Sequence, residues 1–149
     1  MAQYLVDTNL LVRVFEPSSS GLAEKSIALL LEKGHQLYVT PQVIIEFWCV
    51  TTRPPEVNGL GWDVGKVILH INEILTWLEL IDDCPEVFDH WFVLVQKYEV
   101  KGKRTHDARL VAVMLENGVD TLLTFNTGDF EAFTEIKVIH PADVVANAT

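Results

Sequence analysis

A chain of 149 residues, 49% of them hydrophobic, is long enough to bury a core within one compact domain. Its formal net charge of −10 excludes a protein that coats nucleic acid by charge alone, although carboxylates gathered round a cation would inflate that count. The N-terminus lacks the cationic start of a secretory signal, no stretch approaches the roughly 18 uninterrupted apolar residues of a membrane span, and the two cysteines (Cys49, Cys84) have no metal-ligand spacing, so the expected setting is soluble, reducing and cytoplasmic.

In chain order, Tyr4-Leu5-Val6 reads as a short buried strand ending at Asp7. Leu22, Ile27, Leu30 and Leu31 have helical spacing within 21–33, closed by Gly34, and 36–39 reads as a second strand. Thr40-Pro41 is a helix start, a capping hydroxyl followed by proline at the first helical position, and that helix carries Glu46 and stops before Pro54-Pro55. Residues 54–61 are rich in turn formers, 63–79 and 85–98 are amphipathic helices, and Leu80-Ile81 is a short strand between them. After a basic loop at 101–104, Thr105 caps a helix reaching Glu116; 121–125 and 137–139 complete the strands. Short buried strands alternating with helices imply a mostly parallel central sheet flanked by helices, an α/β/α sandwich, in one domain spanning 1–149. In such sheets ligands bind at the C-terminal ends of strands, where Asp7, Asn126 and Asp129 fall.

Four acids stand at element boundaries. Asp7 either caps the next helix or opens a site. Glu46 faces a mostly apolar side, with Gln42, Val43, Cys49 and Val50 as its helical neighbours, so it needs a cation: a metal, or Arg53 seven residues on. Asp107 heads the stripe Leu110, Val111 and Met114; an acid in a first turn also gains about 0.3–1 kcal/mol from the helix dipole. Asp129 follows glycine in a loop, where turn duty shared with Asn126 is the plain alternative. Converging carboxylates suit a hard divalent cation and metal-assisted chemistry on phosphate esters.

Asp7-Thr8-Asn9 after the first strand, Glu46 on an early helix, His106-Asp107-Ala108 opening a late helix, and Thr124-x-Asn126-x-x-Asp129-Phe130 after a later strand together resemble the PIN-domain nucleases, most of all the small VapC-type toxin ribonucleases, over residues 2 to about 140. The resemblance implies that Asp7, Glu46 and Asp107 ligate Mg²⁺ or Mn²⁺, with Asp129 as the fourth acidic residue, directly or through water. Some relatives carry an acid nearer the position of Asn126, so the fourth place lies between Asp129 and Asn126. Thr8, Asn9 and Thr124 match positions that support the site by hydrogen bonding. The implied reaction is endonucleolytic cleavage of RNA to a 5′-phosphate and a 3′-hydroxyl; the implied partners are a small antitoxin and a second copy of the chain.

A polyanion must still reach an acidic pocket. Lys97, Lys101, Lys103, Arg104 and Arg109 face only Glu99 and Asp107 in the same segment, either as a phosphate-contacting rim with Arg53 or as a solvated loop. Apolar residues around Phe47-Trp48 and along 64–77 offer either a groove for an antitoxin or core packing. A haloacid-dehalogenase phosphatase would need an Asp where Asn9 stands. A PIN fold kept only as a protein- or RNA-binding module is the alternative from another class, opposed by the retention of Asp7, Glu46 and Asp107 together, since an unused acid cluster adds only repulsion.

Overall fold

The computed structural model describes residues 2–16 and 20–148. Strand β1 (Gln3–Val6) begins the chain in the middle of the sheet. Helices α1 (Thr8–Phe15) and α2 (Leu22–Glu32) lead to β2 (Gln36–Val39) beside it; α3 (Pro41–Thr52) and α4 (Val64–Trp77) lead outward to β3 (Glu79–Leu80). The chain then crosses back through α5 (Glu86–Lys97) and α6 (Arg104–Asn117) to β4 (Thr121–Leu123) on the other side of β1, followed by β5 (Lys137–Ile139) and α7 (Pro141–Ala146). The order is β3-β2-β1-β4-β5, and every pairing is parallel. The mostly parallel sheet expected from sequence is therefore parallel at each described pair.

The sheet is covered on both faces. Leu5 and Val6 point to opposite sides of β1, as do Leu122 and Leu123 in β4, and all four are fully buried. Helix α6 presents Ala108 and every residue from Leu110 to Met114 to the interior, far more than a one-sided stripe, and packs along α5. Helix α3 begins as its sequence dictates: the Thr40 hydroxyl accepts from the Val43 amide at 3.1 Å and Pro41 holds the first position. Among the described residues no helix is long and apolar enough to cross a membrane.

Several boundaries differ from the sequence reading. The helix after Asp7, given no extent by the sequence, is α1, and α7 is an element that the apolar spacing does not place. Strand β4 stops at Leu123 rather than Phe125: beyond it the Thr124 hydroxyl bonds the Asp7 carboxylate and the Phe125 amide bonds Asn9 Oδ1 instead of a neighbouring strand. β3 is Glu79–Leu80, one residue earlier than expected. Helix α6 starts at Arg104, and Thr105 does not cap it: its hydroxyl donates to the Gly102 carbonyl at 2.7 Å. Phe47 is completely buried core, so only Trp48 of that pair is available to a partner.

Candidate metal and phosphate cleft

In a parallel sheet that starts in the middle and grows both ways, neighbouring strands whose connections leave in opposite directions diverge at their C-terminal ends and open a crevice. Here those strands are β1 and β4, and the residues just past them are Asp7 and Thr124. The Asp7 amide donates to the Leu123 carbonyl at 3.0 Å, carrying the sheet's register one step into the site.

Asp7 is 93% shielded from solvent, and its carboxylate is held on every side. Oδ1 accepts the Thr8 amide at 2.8 Å, the helix-cap bond of α1, so the capping and site readings of Asp7 describe one geometry. Oδ2 accepts the Thr124 hydroxyl at 2.7 Å and the Asn9 side-chain amide at 3.2 Å. Thr124 Oγ1 in turn accepts from Asn9 Nδ2 at 3.2 Å and from the Asn126 amide at 3.0 Å. Both acceptor places on that oxygen are filled, so its one proton must go to Asp7. Asn9 Oδ1 closes the ring by accepting the Phe125 amide at 3.1 Å. Burial still pushes the Asp7 carboxyl above its ordinary value; the bonds from Thr124 and Thr8 oppose that push, and the charges of Glu46 and Asp129 reinforce it.

Glu46 is half-buried on α3. Oε2 accepts the Thr8 hydroxyl at 2.9 Å and Oε1 accepts Gln42 Nε2 at 3.1 Å. The ion pair with Arg53 does not form: that guanidinium donates to the Asn58 carbonyl at 3.1 Å. Asp107, in the first turn of α6, is half-buried at the same cleft, and its carboxyl is pushed up to about 6 by burial first and then by the charges of Asp129, Asp7 and Glu46, with Arg104 opposing. Asp129 closes a short 3-10 turn, Thr127–Asp129, and is exposed, as is Asn126. Both line the cleft, but only Asp129 brings charge to it.

The cleft is open, about 740 Å³, and all four acids line it together with Thr8, Asn9 and Asn126. Cations ring the acids: Arg53 from the end of α3, Lys103 and Arg104 from the start of α6, and Arg13 from the last turn of α1. Arg13, whose guanidinium lies 4.5 Å from the Phe125 ring centre, stands far from the basic segment that the sequence singles out. Arg53 Nε is buried without a hydrogen-bond partner. Other members of the basic segment lie elsewhere. Lys97 pairs with Glu135 at 2.8 Å, and Arg109 pairs with Asp83 at 3.2 Å beside a second cavity.

The donor set fits a hard divalent cation. Carboxylates that raise one another's proton affinity across a shared cleft are relieved by positive charge between them, and oxygen donors are what Mg²⁺ and Mn²⁺ take. Among the described residues no three of these acids bring oxygens within 4.8 Å of one another; the trio that does is Cys84, Glu86 and Glu116, outside the cleft. The acids thus leave space for water and substrate as well as a cation, in keeping with the reluctance of Mg²⁺ to shed its waters.

The PIN domain family matches residues 4–136, almost the whole chain. The chain belongs to the PIN-domain family. No curated protein matches it in sequence. Solved structures share the fold: VapBC2 from Rickettsia felis bound to a promoter DNA fragment superposes with a TM-score of 0.74 at 16% identity, over 93% of this chain and 98% of that one. A toxin–antitoxin complex from Klebsiella pneumoniae gives 0.65 at 21% identity, over 93% and 97%. VapC20 of Mycobacterium tuberculosis, a sarcin-ricin-loop-cleaving toxin, gives 0.62 at 18% identity, over 87% and 95%. At these identities the likeness is one of fold. In this PIN domain the cleft at the β1–β4 divergence carries both the acids and the cations.

Proposed function

We propose that this PIN domain is a cytoplasmic, Mg²⁺- or Mn²⁺-dependent endoribonuclease and the toxin of a toxin–antitoxin pair. The observation that carries the reading is the pairing of Asp7, Glu46, Asp107 and Asp129 with Arg13, Arg53, Lys103 and Arg104 around one open cleft. The acids would hold the cation, and the cationic rim would hold the phosphodiester backbone against them. A bound divalent cation supplies an activated water at neutral pH and offsets charge building on the phosphate oxygens.

The chain's own residues do the rest. Asp7 is aimed by Thr124, Asn9 and the Thr8 amide, all donors, which take three of the roughly four lone-pair sites of its carboxylate and fix the remaining one for a cation before substrate arrives. Thr8, at the start of α1, orients Glu46 by donating its hydroxyl to that carboxylate. Asp107 approaches from the start of α6, where Arg104 limits the repulsion among the acids and, with Lys103, offers charge to phosphate. Asp129 serves as the fourth acid, while Asn126 offers only an amide to water or phosphate. Arg53 is pre-set at the rim by the Asn58 carbonyl; an Arg held in one orientation loses less freedom on gripping phosphate.

Partners have surfaces to use. Solved structures with this fold include a toxin–antitoxin complex. On this chain Ile45 and Trp48 of α3 and Val64, Ile68 and Leu69 of α4 are exposed, and we assign them to the antitoxin. Phe88 and Phe92 of α5 stack on each other, with Val93 exposed beside them, and suit a second copy of the chain.

The test is incubation of purified, antitoxin-free protein with mixed cellular RNA and Mg²⁺ or Mn²⁺, beside Asp107→Asn and an EDTA control. Discrete fragments from wild type alone, lost in EDTA, are expected. A silent wild type that still binds RNA would replace this reading with the binding module.

A further inference from the structure

Glu46 and Asp107 come from different helices, α3 and α6, and something must set their separation. One side chain touches both supports. Gln42, one turn before Glu46, donates from Nε2 to Glu46 Oε1 at 3.1 Å and to the carbonyl of His106, the residue beside Asp107, at 2.8 Å. Its Oε1 accepts Arg109 Nη1 at 3.1 Å, and Arg109 Nη2 pairs with Asp83 at 3.2 Å. An i,i+4 amide–carboxylate contact on a helix is ordinary and weak. The contacts to His106 and Arg109 are of another kind, since they span 64 and 67 positions and tie α3 to α6.

The orientation of this amide is fixed by its neighbours. Turned over, its oxygen would face the Glu46 carboxylate and the His106 carbonyl, and its NH₂ would face a guanidinium: three contacts would become repulsive together. As it stands, the amide dipole runs from a cation to a carboxylate. Arg109 does not line the acid cleft; it borders the cavity of Cys84, Val87, Phe88 and Trp91. Its hydrogen bonds therefore reach the site through Gln42.

We infer that Gln42, locked by Arg109 and Asp83, is a positioning residue that fixes the Glu46 carboxylate relative to the start of α6, so that Glu46 and Asp107 are offered to a divalent cation at a set separation. The inference rests on the metal-site reading above. It also gives Arg109 a place behind the site rather than on the RNA-contacting rim.

The test reads Mn²⁺ affinity directly, from the electron-paramagnetic-resonance signal of free Mn²⁺ in titrations of full-length protein, with urea unfolding in EDTA alongside. Gln42→Leu is expected to weaken Mn²⁺ binding by about tenfold, the usual scale for losing a residue that orients a metal ligand. Arg109→Lys, which keeps charge but loses the fork spanning Gln42 and Asp83, is expected to weaken it severalfold, and to add little on top of Gln42→Leu. It also serves as the second probe if Gln42→Leu folds poorly. Unchanged Mn²⁺ affinity in the folded variants, with only unfolding shifted, would reduce Gln42 to a helix tie and overturn the inference. A wild type that binds Mn²⁺ yet cleaves no RNA would sink the ribonuclease reading alone; one that binds no Mn²⁺ would sink both.

Discussion

Replacing Asp107 by Asn is expected to stabilise the metal-free protein while disabling its site, and the two effects can be measured separately. The folded protein holds the Asp107 proton up to about pH 6, because the carboxyl is half-buried among Asp129, Asp7 and Glu46. The unfolded chain releases that proton near the ordinary value of 3.8. Folded protein therefore binds more protons between those values, and stability falls as pH rises through them. At 1.36 kcal/mol per pH unit the gross penalty above pH 6 is about 3 kcal/mol. Solvent screening at a half-exposed carboxyl cuts that to about 1–1.5 kcal/mol. Against it stands the favourable interaction of a first-turn acid with the α6 dipole, about 0.3–1 kcal/mol, which Asn gives up. Burial and repulsion together outweigh the dipole by about 0.5 kcal/mol, or some 2 °C in Tm for a chain of this size. The assay is thermal unfolding in EDTA from pH 3.5 to 8. Asp107→Asn should match wild type near pH 3.5 and exceed it above pH 7. A variant less stable than wild type at pH 7.5, or a difference that does not vary with pH, would refute the account of Asp107 as one of several repelling carboxylates.

Mn²⁺ at a hundredfold excess over its dissociation constant should stabilise wild type by about 2.7 kcal/mol, roughly 8 °C, and Asp107→Asn by clearly less; equal shifts in a thermal melt would move the cation elsewhere. Thr124→Val removes the donor to Asp7 and the acceptor for Asn9 and Asn126, so urea unfolding should show a loss of about 1–3 kcal/mol, with Thr124→Ser largely spared. The pair Lys103→Ala and Arg104→Ala should raise KM for RNA more than it lowers kcat, and flatten the salt dependence of RNA binding by about 0.7 per lost phosphate contact. An unchanged slope would place both residues off the RNA path. Phe92→Asp should shift the light-scattering mass of the protein from two chains towards one, and a wild type that is monomeric throughout would reject the α5 interface.

Much of the architecture was legible because it is written locally. Thr40-Pro41 starts a helix through its own hydroxyl and fixed φ, Gly34 closes α2 with a φ of 82° that other residues resist, and short apolar runs bounded by turn formers mark β1, β2 and β5. Asp7, Glu46, Asp107 and Asp129 were legible as candidates because carboxylates at element ends are costly without a reason. Their meeting at one cleft was implied by the family resemblance and not by any local pattern. It follows from β4 pairing with β1 rather than with β3, a choice set by burial of Leu122 and Leu123 on both faces of the sheet.

The rest of the site depended on contacts through space. Thr124 reaches Asp7 across 117 positions, and a strand of three residues has no periodicity to show where it stops. Gln42 read only as a helical neighbour of Glu46 until α6 came alongside, and Arg109 read as a candidate for the basic rim, whereas it pairs with Asp83 and Gln42 outside the cleft. The sequence by itself determined which side chains can carry charge, cap helices and seek burial. The tertiary structure decided which of them meet, because hydrogen bonds and Coulombic repulsion depend on distances that only the packed sheet and helices set.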